Sequence, residues 1–594
     1  KAFSYCCYLE NVTIPSSVTT IGNSAFSSCS RLENVTIPRS VTTIGYRAFS
    51  SCSKLKNVTI PDSVMTIGSS AFSNCGELIS ITLSNGVKTI GDSAFYYSGL
   101  TSITIPSSVT TIGNSAFSMC WNLTEIIVED GNVQYCSKGN CLINIETKTL
   151  IAGCNNSVIP DDGSVIIIDD YAFSCRQFTD ITIPDKVNEI GKFAFKECRS
   201  LRSVKLPIIR VLGEGVFSGC FQLESFSLNT QTSLTGDGNY YLPFGYFFGS
   251  DSYNGGVKTE QYYCSKEGGR SSACFYIPSS LKKVIITGIG DILNYAFYNC
   301  SELTDVTIIN GVTGIRSSAF QNCSQLTNIK IPDSVRSLGW NTFENCSKLK
   351  SVKIPYGVKY LGLGLFKNCS DLTSVIITDN VLSVSEDTFL GCDNLIVKSK
   401  GICYVDKWVI GTESKTITSA ELDPATEGIV GGAFRDCISL TNIKIPTGVK
   451  GIGDNAFNGC KGLTNIVIPN SVRVIGSGAF AGSGLTSITI PNSVTTITTS
   501  VFKACSGLTS VTIPEGITSI GQHAFMLCRN LKSITIPKSV TIIGEEAFYH
   551  CTALADIRYK GTIAQWDNIL KGHWWKLYIS ENYAITCVNG TTYN

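Results

Sequence analysis

Cysteine is the residue type in this chain best placed to do chemistry, because 26 of the 594 residues are cysteines and only 3 are histidines. Regularly spaced thiols could form disulfides, bind a metal ion or stay free. Eighteen of the cysteines recur at one position of a sequence repeat, at residues Cys6, Cys29, Cys52, Cys75, Cys120, Cys175, Cys198, Cys220, Cys300, Cys323, Cys346, Cys369, Cys392, Cys437, Cys460, Cys505, Cys528 and Cys551. Two further copies carry Ser98 and Ser483 at this position.

Other residues that could support catalysis are few and scattered. His523, His550 and His573 lie in separate contexts, and the sequence contains no H-E-x-x-H, G-x-S-x-G or G-x-x-x-x-G-K-[ST] motif. The acidic pairs 161–162 and 169–170 could bind calcium, although solvated loop charges are far commoner. We therefore predict that the chain is not an enzyme and that it uses no cofactor and no metal ion.

Charge and hydropathy exclude two classes of partner. The net charge is +1, which gives no electrostatic case for binding nucleic acid or an anionic membrane. No apolar run approaches the roughly 18 residues that a membrane-spanning helix needs. The chain is expected to be a monomer whose ligand is a protein or a glycan.

The elements that position the cysteines belong to a repeat of 22–23 residues, present in about twenty copies. Residues 100–120 form a clear copy of the pattern L-x-x-I-x-I-P-x-x-V-x-x-I-G-x-x-A-F-x-x-C. Its alternating β-branched residues predict a half-buried strand, and Pro106 ends that strand. Gly113 is expected to permit a turn with positive φ, and Phe117 is expected to fill the interior of the coil. Stacked coils bury a continuous core, so the repeat predicts a β-rich solenoid with a parallel sheet, wound as a right-handed curved superhelix.

This pattern resembles the leucine-rich repeats of the BspA-like, or treponemal-type, family. The resemblance implies a secreted or cell-surface protein of a host-associated bacterium, and several members of that family are implicated in adhesion. We therefore expect an extracellular binding or adhesion protein that recognises a host or neighbouring-cell protein or glycan. The alternative is a structural spacer that projects other modules from the cell surface.

The repeated cysteines are interpreted as a ladder of buried free thiols. Equivalent side chains in stacked coils point the same way, which suits neither a disulfide nor converging metal ligands. Cysteine also packs well as a small apolar group. So many free thiols in an exported protein would suit an anaerobic habitat. Among the remaining cysteines, Cys264 and Cys274 are the candidate disulfide pair.

Three insertions divide the repeats, and the C-terminal region ends them. The repeats are predicted at residues 1–123, 171–225, 284–392 and 433–555, and the insertions at 124–170, 226–283 and 393–432. Residues 556–594 are predicted to be a cap with a short helix whose N-cap is Thr562, and its tryptophans are expected in the core. Residue 1 falls within a repeat, so an N-terminal cap is expected to precede it in the natural protein.

Two surfaces are candidates for ligand binding. The outward rows of the first strand carry Thr104 and, farther along, the lysines Lys205, Lys330, Lys353 and Lys444, which could favour an acidic ligand. These rows could equally serve only to solubilise exposed strands. In the second insertion, Tyr246, Phe247, Phe248 and Tyr253 could stack on sugar rings or on a partner protein, or they could form a small local core.

Overall fold

The computed structural model describes residues 1–232, 240, 241, 243–265 and 270–593. Its internal contacts separate two compact units, Lys1–Val312 and Thr313–Asn594. Within each unit, consecutive coils place their strands beside one another in parallel, and helix is almost absent. The predicted parallel solenoid of repeated coils is therefore confirmed.

Each coil of the first unit contributes a longer first strand and a short second strand. The first strands are Asn11–Thr13, Asn34–Thr36, Asn57–Ile60, Ser80–Leu83, Ser102–Ile105, Glu125–Val128, Asp180–Thr182, Ser203–Lys205, Ser225–Asn229, Lys283–Thr287 and Asp305–Ile308. The second strands are Thr20–Ile21, Thr43–Ile44, Thr66–Ile67, Thr89–Ile90, Thr111–Ile112, Ile167–Ile168, Glu189–Ile190, Val211–Leu212 and Gly290–Ile292.

The second unit repeats this plan. Its first strands are Asn328–Lys330, Ser351–Lys353, Ser374–Ile376, Ser419–Glu421, Asn442–Lys444, Ser487–Thr489, Ser510–Thr512, Ser533–Ile536 and Asp556–Tyr559. Its second strands are Val312–Ile315, Ser337–Leu338, Tyr360–Leu361, Ser383–Val384, Gly428–Ile429, Gly451–Ile452, Val474–Ile475, Thr496–Ile497, Ser519–Ile520, Ile542–Ile543 and Leu570–Lys571.

One coil shows how the sequence produces this structure. In Asn57–Ile60 the side chains alternate between exposed and buried, so Val58 and Ile60 face the core. A tight turn follows, in which the Val64 N–H donates to the Pro61 carbonyl oxygen at 3.0 Å. The ring of Phe72 then stacks between those of the preceding and following coils, at centroid distances of 5.3 and 5.8 Å. The core is thus a column of aromatic rings flanked by aliphatic side chains.

In most coils a glycine follows the second strand, and at several of these glycines the coils approach closely. The prediction that Gly113 adopts a positive φ is wrong, because the left-handed residues in that coil are Ser115 and Met119, with φ of 55° and 61°. A Cβ on Gly113 would instead lie 2.4 Å from the backbone nitrogen of Asp92 in the preceding coil. Gly68 meets the same limit, since its Cβ would lie 2.7 Å from the carbonyl carbon of Gly45. A side chain at Gly68 or Gly113 would therefore force the adjacent backbone to move, whereas the coils with Ser385 and Thr498 at this position accommodate a side chain.

Antiparallel strands occupy the segments that interrupt the repeat. One group consists of Tyr135–Lys138, Cys141–Asn144 and Thr149–Ala152, and another consists of Val397–Ser399, Ile402–Val405 and Trp408–Thr412. Between them in sequence, the short 3-10 helix Phe244–Phe247 and the strand Tyr240–Tyr241 precede the long hairpin Gly256–Ser265 and Arg270–Pro278. A second 3-10 helix covers Asp393–Leu395.

The C-terminal region contains the α-helix Ile563–Asp567 and the strands Ala584–Cys587 and Gly590–Thr592. Thr562 is the N-cap, as the sequence predicts, and it forms a reciprocal capping box with Gln565. Trp566 and Trp575 are buried against the last coils, whereas Trp574 is half exposed.

Candidate binding surfaces and the cysteine ladder

The exposed rows of the first strands are aligned by the register of the parallel sheet. In the first unit, Asn11 lies opposite Asn34, and Asn34 lies opposite Asn57. Thr104 is exposed on the strand Ser102–Ile105 and lies opposite Ile127, which is also exposed. Polar side chains therefore form continuous outward rows over consecutive coils, broken locally by an apolar residue.

The structure brings only some of the candidate lysines together. Lys205 is exposed in the first unit, where its register neighbours are Thr182 and Ser227. In the second unit, Lys330 and Lys353 are exposed on contacting first strands, which makes them a basic pair. The exposed Ile376 follows Lys353 in the same row.

Lys444 lies in a different charge environment from that basic pair. Its register neighbour is Glu421, whose carboxylate is paired with Lys400 at 2.7 Å. Nearby lysines hold the pKa of the Glu421 carboxyl below its usual range, with the hydrogen bond from Lys400 as the main cause. The predicted basic stretch in this unit is therefore reduced to Lys330 and Lys353.

Two of the four candidate aromatic residues in the second insertion are buried, so they are not available for ligand stacking. Phe247 and Phe248 pack edge-on against Phe226, with ring centroids 5.0 and 6.0 Å away. Tyr246 is partly exposed, and so is Tyr253, whose hydroxyl donates to the Tyr276 carbonyl oxygen at 2.6 Å. The second insertion interrupts the regular stack of phenylalanine rings. In this region Phe247 and Phe248 pack against Phe226 and form a local aromatic core.

Apart from Cys6, which is exposed, the thiols of the ladder are buried and free, and they do more than fill space. In regular coils the Sγ atom donates to the carbonyl oxygen of the phenylalanine in the preceding coil, at 2.9–3.2 Å. The bonded thiols are those of Cys29, Cys52, Cys75, Cys120, Cys198, Cys220, Cys346, Cys369, Cys392, Cys460, Cys505, Cys528 and Cys551. The acceptor oxygen can hold two hydrogen bonds: the Phe49 carbonyl oxygen, for example, accepts both the Cys75 thiol and the Cys52 N–H.

Burial also sets the chemistry of these thiols. It raises the pKa of Cys75, Cys460 and Cys551 to about 12, because the charged thiolate loses its hydration. Such thiols are poor nucleophiles at neutral pH. These three thiols are therefore structural in their chemistry. Sequence reasoning missed the hydrogen bonds of the ladder because they join residues 25 or 26 positions apart.

Three predictions about individual cysteines are wrong. Cys6 occupies the ladder position but is exposed, because no coil precedes it in the structure. Cys175 does not belong to the ladder, because Arg176 occupies the ladder position three residues after Phe173. Cys264 lies opposite Arg270 in the hairpin, whereas Cys274 lies opposite Glu260. The two cysteines are therefore four residues apart along the extended strands, and that distance is longer than a disulfide can span. Cys274 is a free, exposed thiol.

The acidic pairs and the histidines are engaged in local contacts. Asp162 accepts hydrogen bonds from Ser164 and pairs with Lys138, and Asp170 accepts from the Lys192 N–H at 2.6 Å. His523 Nε2 lies 3.1 Å from a carboxylate oxygen of Glu546. Across the ranges that the structure describes, no three histidine, cysteine or acidic side chains are grouped so as to hold a metal ion. In those same ranges, no helix is long and apolar enough to cross a membrane.

Comparisons with known proteins agree with the repeat architecture. The model of the BspA-type leucine-rich repeat region matches residues 1–137, 145–242, 270–396 and 427–555. A crystal structure of a leucine-rich repeat protein from Bacteroides ovatus is 29% identical, with 65% of this chain and 86% of that chain covered and a TM-score of 0.40. A leucine-rich cell surface protein from Faecalibacterium prausnitzii is 28% identical, with 54% and 78% covered and a TM-score of 0.35.

A search of the curated proteins finds no match. The family model covers most of the sequence, including the segments in which the coils, the phenylalanine stack and the thiol ladder are regular. The chain is a member of the BspA-type leucine-rich repeat family.

Proposed function

We propose that this chain is a non-enzymatic binding protein of the cell surface or the extracellular space, which holds a protein or glycan ligand on its exposed first-strand rows. The observation that carries the proposal is the alignment of these rows. Exposed residues alternate with buried ones in strand after strand, and the register places like residues side by side. Solenoid proteins commonly bind partners across such extended surfaces.

Family membership and thiol chemistry support the proposed location. BspA-type repeats resemble those of secreted and wall-attached proteins, in which repeated coils present a surface rather than enclose an active site. Most ladder thiols are buried, and burial raises the pKa of thiols such as Cys75, Cys460 and Cys551, which would protect them from oxidation in an exported protein. An anaerobic, host-associated bacterium remains the proposed source.

The basic pair Lys330 and Lys353 favours an acidic ligand for the second unit. Neither side chain has an ion-pair partner in the part of the chain that the structure describes. Two exposed ammonium groups on contacting strands would attract a sulfated or carboxylated glycan, or an acidic protein segment. Because this attraction acts through water, it should weaken at high salt.

A binding screen against arrays of glycans and matrix proteins, at low and high salt, tests the proposal. The double variant Lys330→Thr and Lys353→Thr installs the residue that other coils carry in this row. We expect it to lose severalfold in affinity for an acidic ligand, since each exposed charge contributes about 0.5–1 kcal/mol. The double variant Lys359→Thr and Lys461→Thr removes the same charge from exposed positions outside this row and should bind normally.

The outcomes separate the alternatives. An acidic ligand that binds both double variants equally would exclude the basic pair as its site. A chain that binds nothing on either array would favour the structural spacer, which needs the solenoid but no ligand.

A further inference from the structure

The first unit contains a break in the stacked turns that follow the phenylalanines. In intact coils the second residue after the phenylalanine donates its N–H to a backbone carbonyl of the next coil, as Tyr97 does to Ser118 at 3.0 Å. The Met119 N–H instead reaches the side-chain oxygen of Ser174 at 3.0 Å. The regular pattern resumes at Cys175, whose N–H donates to the Lys196 carbonyl oxygen at 2.7 Å. Between these two turns, side chains therefore replace the backbone contact, and the Cys175 Sγ lies 3.2 Å from the Met119 Sδ.

The insertions differ in how they complete this stack. In the second insertion the 3-10 helix supplies a substitute turn, because the Phe217 N–H donates to the Phe247 carbonyl oxygen at 2.8 Å. The first insertion contributes a glycine, Gly153, whose N–H donates to the Ala172 carbonyl oxygen at 2.9 Å. No side chain fits at Gly153, since a Cβ there would lie 2.0 Å from the Phe173 ring. The turn at Met119 meets only the side chains of Ser174 and Cys175, which leaves a recess beside it.

A cavity of about 430 Å³ occupies this opening. That volume lies within the range of small-molecule sites. On one side are the rings of Tyr97 and Trp121, which meet edge to face with centroids 4.6 Å apart. Tyr97 is 43% exposed and Trp121 is partly exposed, so their surfaces are open to a ligand. On the other side are Arg176, Glu197 and Arg199.

A buried cation lies in the wall of the cavity. Arg176 is 1% exposed, and its guanidinium donates to the carbonyl oxygens of Gly153 at 2.9 Å, Phe117 at 3.2 Å and Cys120. Among the described residues no carboxylate pairs with it. A buried charge without a counter-charge is costly, and an anion in the adjacent cavity would offset that cost.

Arg199 offers the direct contact to such an anion. Its Nε is 2.8 Å from the Glu197 carboxylate, while 67% of its side chain is exposed. The two terminal amino groups form no described hydrogen bond, so both remain available as a fork for a planar carboxylate. Two arginines and one glutamate leave the cavity with a net positive charge.

We propose that this cavity binds a carboxylated sugar residue, with its carboxylate on the terminal amino groups of Arg199 and its ring against Trp121 and Tyr97. Aromatic faces suit the C–H surface of a sugar, and the arginine fork suits its carboxylate. The lining comes from turns after the phenylalanines rather than from the exposed strand rows. The site is therefore additional to the surface in the proposed function.

Three small probes test the proposal by ligand-observed NMR titration of the full chain. Glucuronate carries both features, glucose is its neutral match, and acetate carries the carboxylate without the ring. We expect glucuronate to bind at least tenfold more tightly than either glucose or acetate. Equal binding of acetate would overturn recognition of the sugar ring, and equal binding of glucose would overturn recognition of the carboxylate. No saturable binding of glucuronate up to about 10 mM would overturn the site altogether.

Variants then place the ligand. Trp121→Ala and Arg199→Gln should each weaken glucuronate binding about tenfold or more, the loss expected for one charged hydrogen bond or one stacking face. Arg202→Gln is the matched control, because Arg202 is also exposed and also paired with a glutamate, Glu224, but lies outside the cavity. Thermal unfolding should be alike for all three. Unchanged binding in both cavity variants, or an equal loss in the control, would contradict the assignment.

Discussion

Replacing Cys75 tests whether the ladder thiols act as hydrogen-bond donors or only as apolar filling. Cys75 is fully buried, and its Sγ donates to the Phe49 carbonyl oxygen at 3.2 Å. The same oxygen accepts the Cys52 N–H at 3.3 Å. Cys75→Ala removes the sulfur and the bond together, whereas Cys75→Ser keeps a donor of similar shape.

The expected cost follows from these contacts. Removing the sulfur leaves a void of about methyl size, which costs about 1 kcal/mol in a packed core. Losing the net contribution of a neutral hydrogen bond adds about 0.5–1 kcal/mol. Cys75→Ala should therefore destabilise its coil by about 1.5–2 kcal/mol, and Cys75→Ser by about 1 kcal/mol or less. The chain itself places Ser98 and Ser483 at this position, within 3.2 and 3.3 Å of the next ladder thiol.

Native-state hydrogen exchange on peptides from this coil gives the measurement, since a solenoid need not unfold in a single step. The alanine variant should lower protection there by about tenfold to thirtyfold, and the serine variant by less. Cys274→Ala is the control, because Cys274 is exposed and off the ladder, and it should leave protection unchanged. If serine costs more than alanine, the thiol bond contributes nothing and the ladder stabilises the coil by apolar packing alone.

Three further outcomes follow from the same coils. Gly68→Ala should lower the free energy of unfolding by about 1–3 kcal/mol, because the new Cβ would meet the backbone of the preceding coil. Gly76→Ala is the control, since its Cβ would meet open space and should leave urea unfolding unchanged. Equal effects of the two variants would contradict the close-packing argument. Burial raises the pKa of Cys551 from 9.0 to about 12, so its contribution to stability is complete below about pH 9 and falls by about 1.4 kcal/mol per pH unit above it. The summed effect of such thiols should appear as a melting temperature that drops steeply above about pH 9, and a flat profile would count against it. Thr562→Ala removes the capping box and should lower the stability of the helix by about 1 kcal/mol. The loss should appear as faster hydrogen exchange in Ile563–Asp567. Unchanged exchange would mean that packing of the buried Trp566 holds the helix.

Much of the fold could be predicted from the sequence because each coil is specified locally. Alternation along Asn57–Ile60 sets which side chains face inward, and a proline follows the strand at once. The recurrence of phenylalanine predicts the aromatic column that the structure contains. Thr562 followed by Gln565 indicates a helix start without any tertiary contact. These features depend on residues within a few positions of one another.

Other features depend on which coil lies next to which, and sequence spacing could not supply that. The lysine row reads as one basic stretch along the repeat, yet the structure places Glu421 opposite Lys444 and leaves Lys330 and Lys353 as the pair. The aromatic insertion reads as either surface or core, and burial of Phe247 decides for core.

The sequence by itself determined that this protein is a stack of parallel coils with buried phenylalanines and thiols, because side-chain alternation and periodicity act within a single coil. Only the tertiary structure decided that the thiols are donors, that a side chain at Gly113 would meet the preceding coil, and that Arg176 is buried in the wall of a cavity. These depend on contacts between coils, whose partners change wherever an insertion replaces a regular turn.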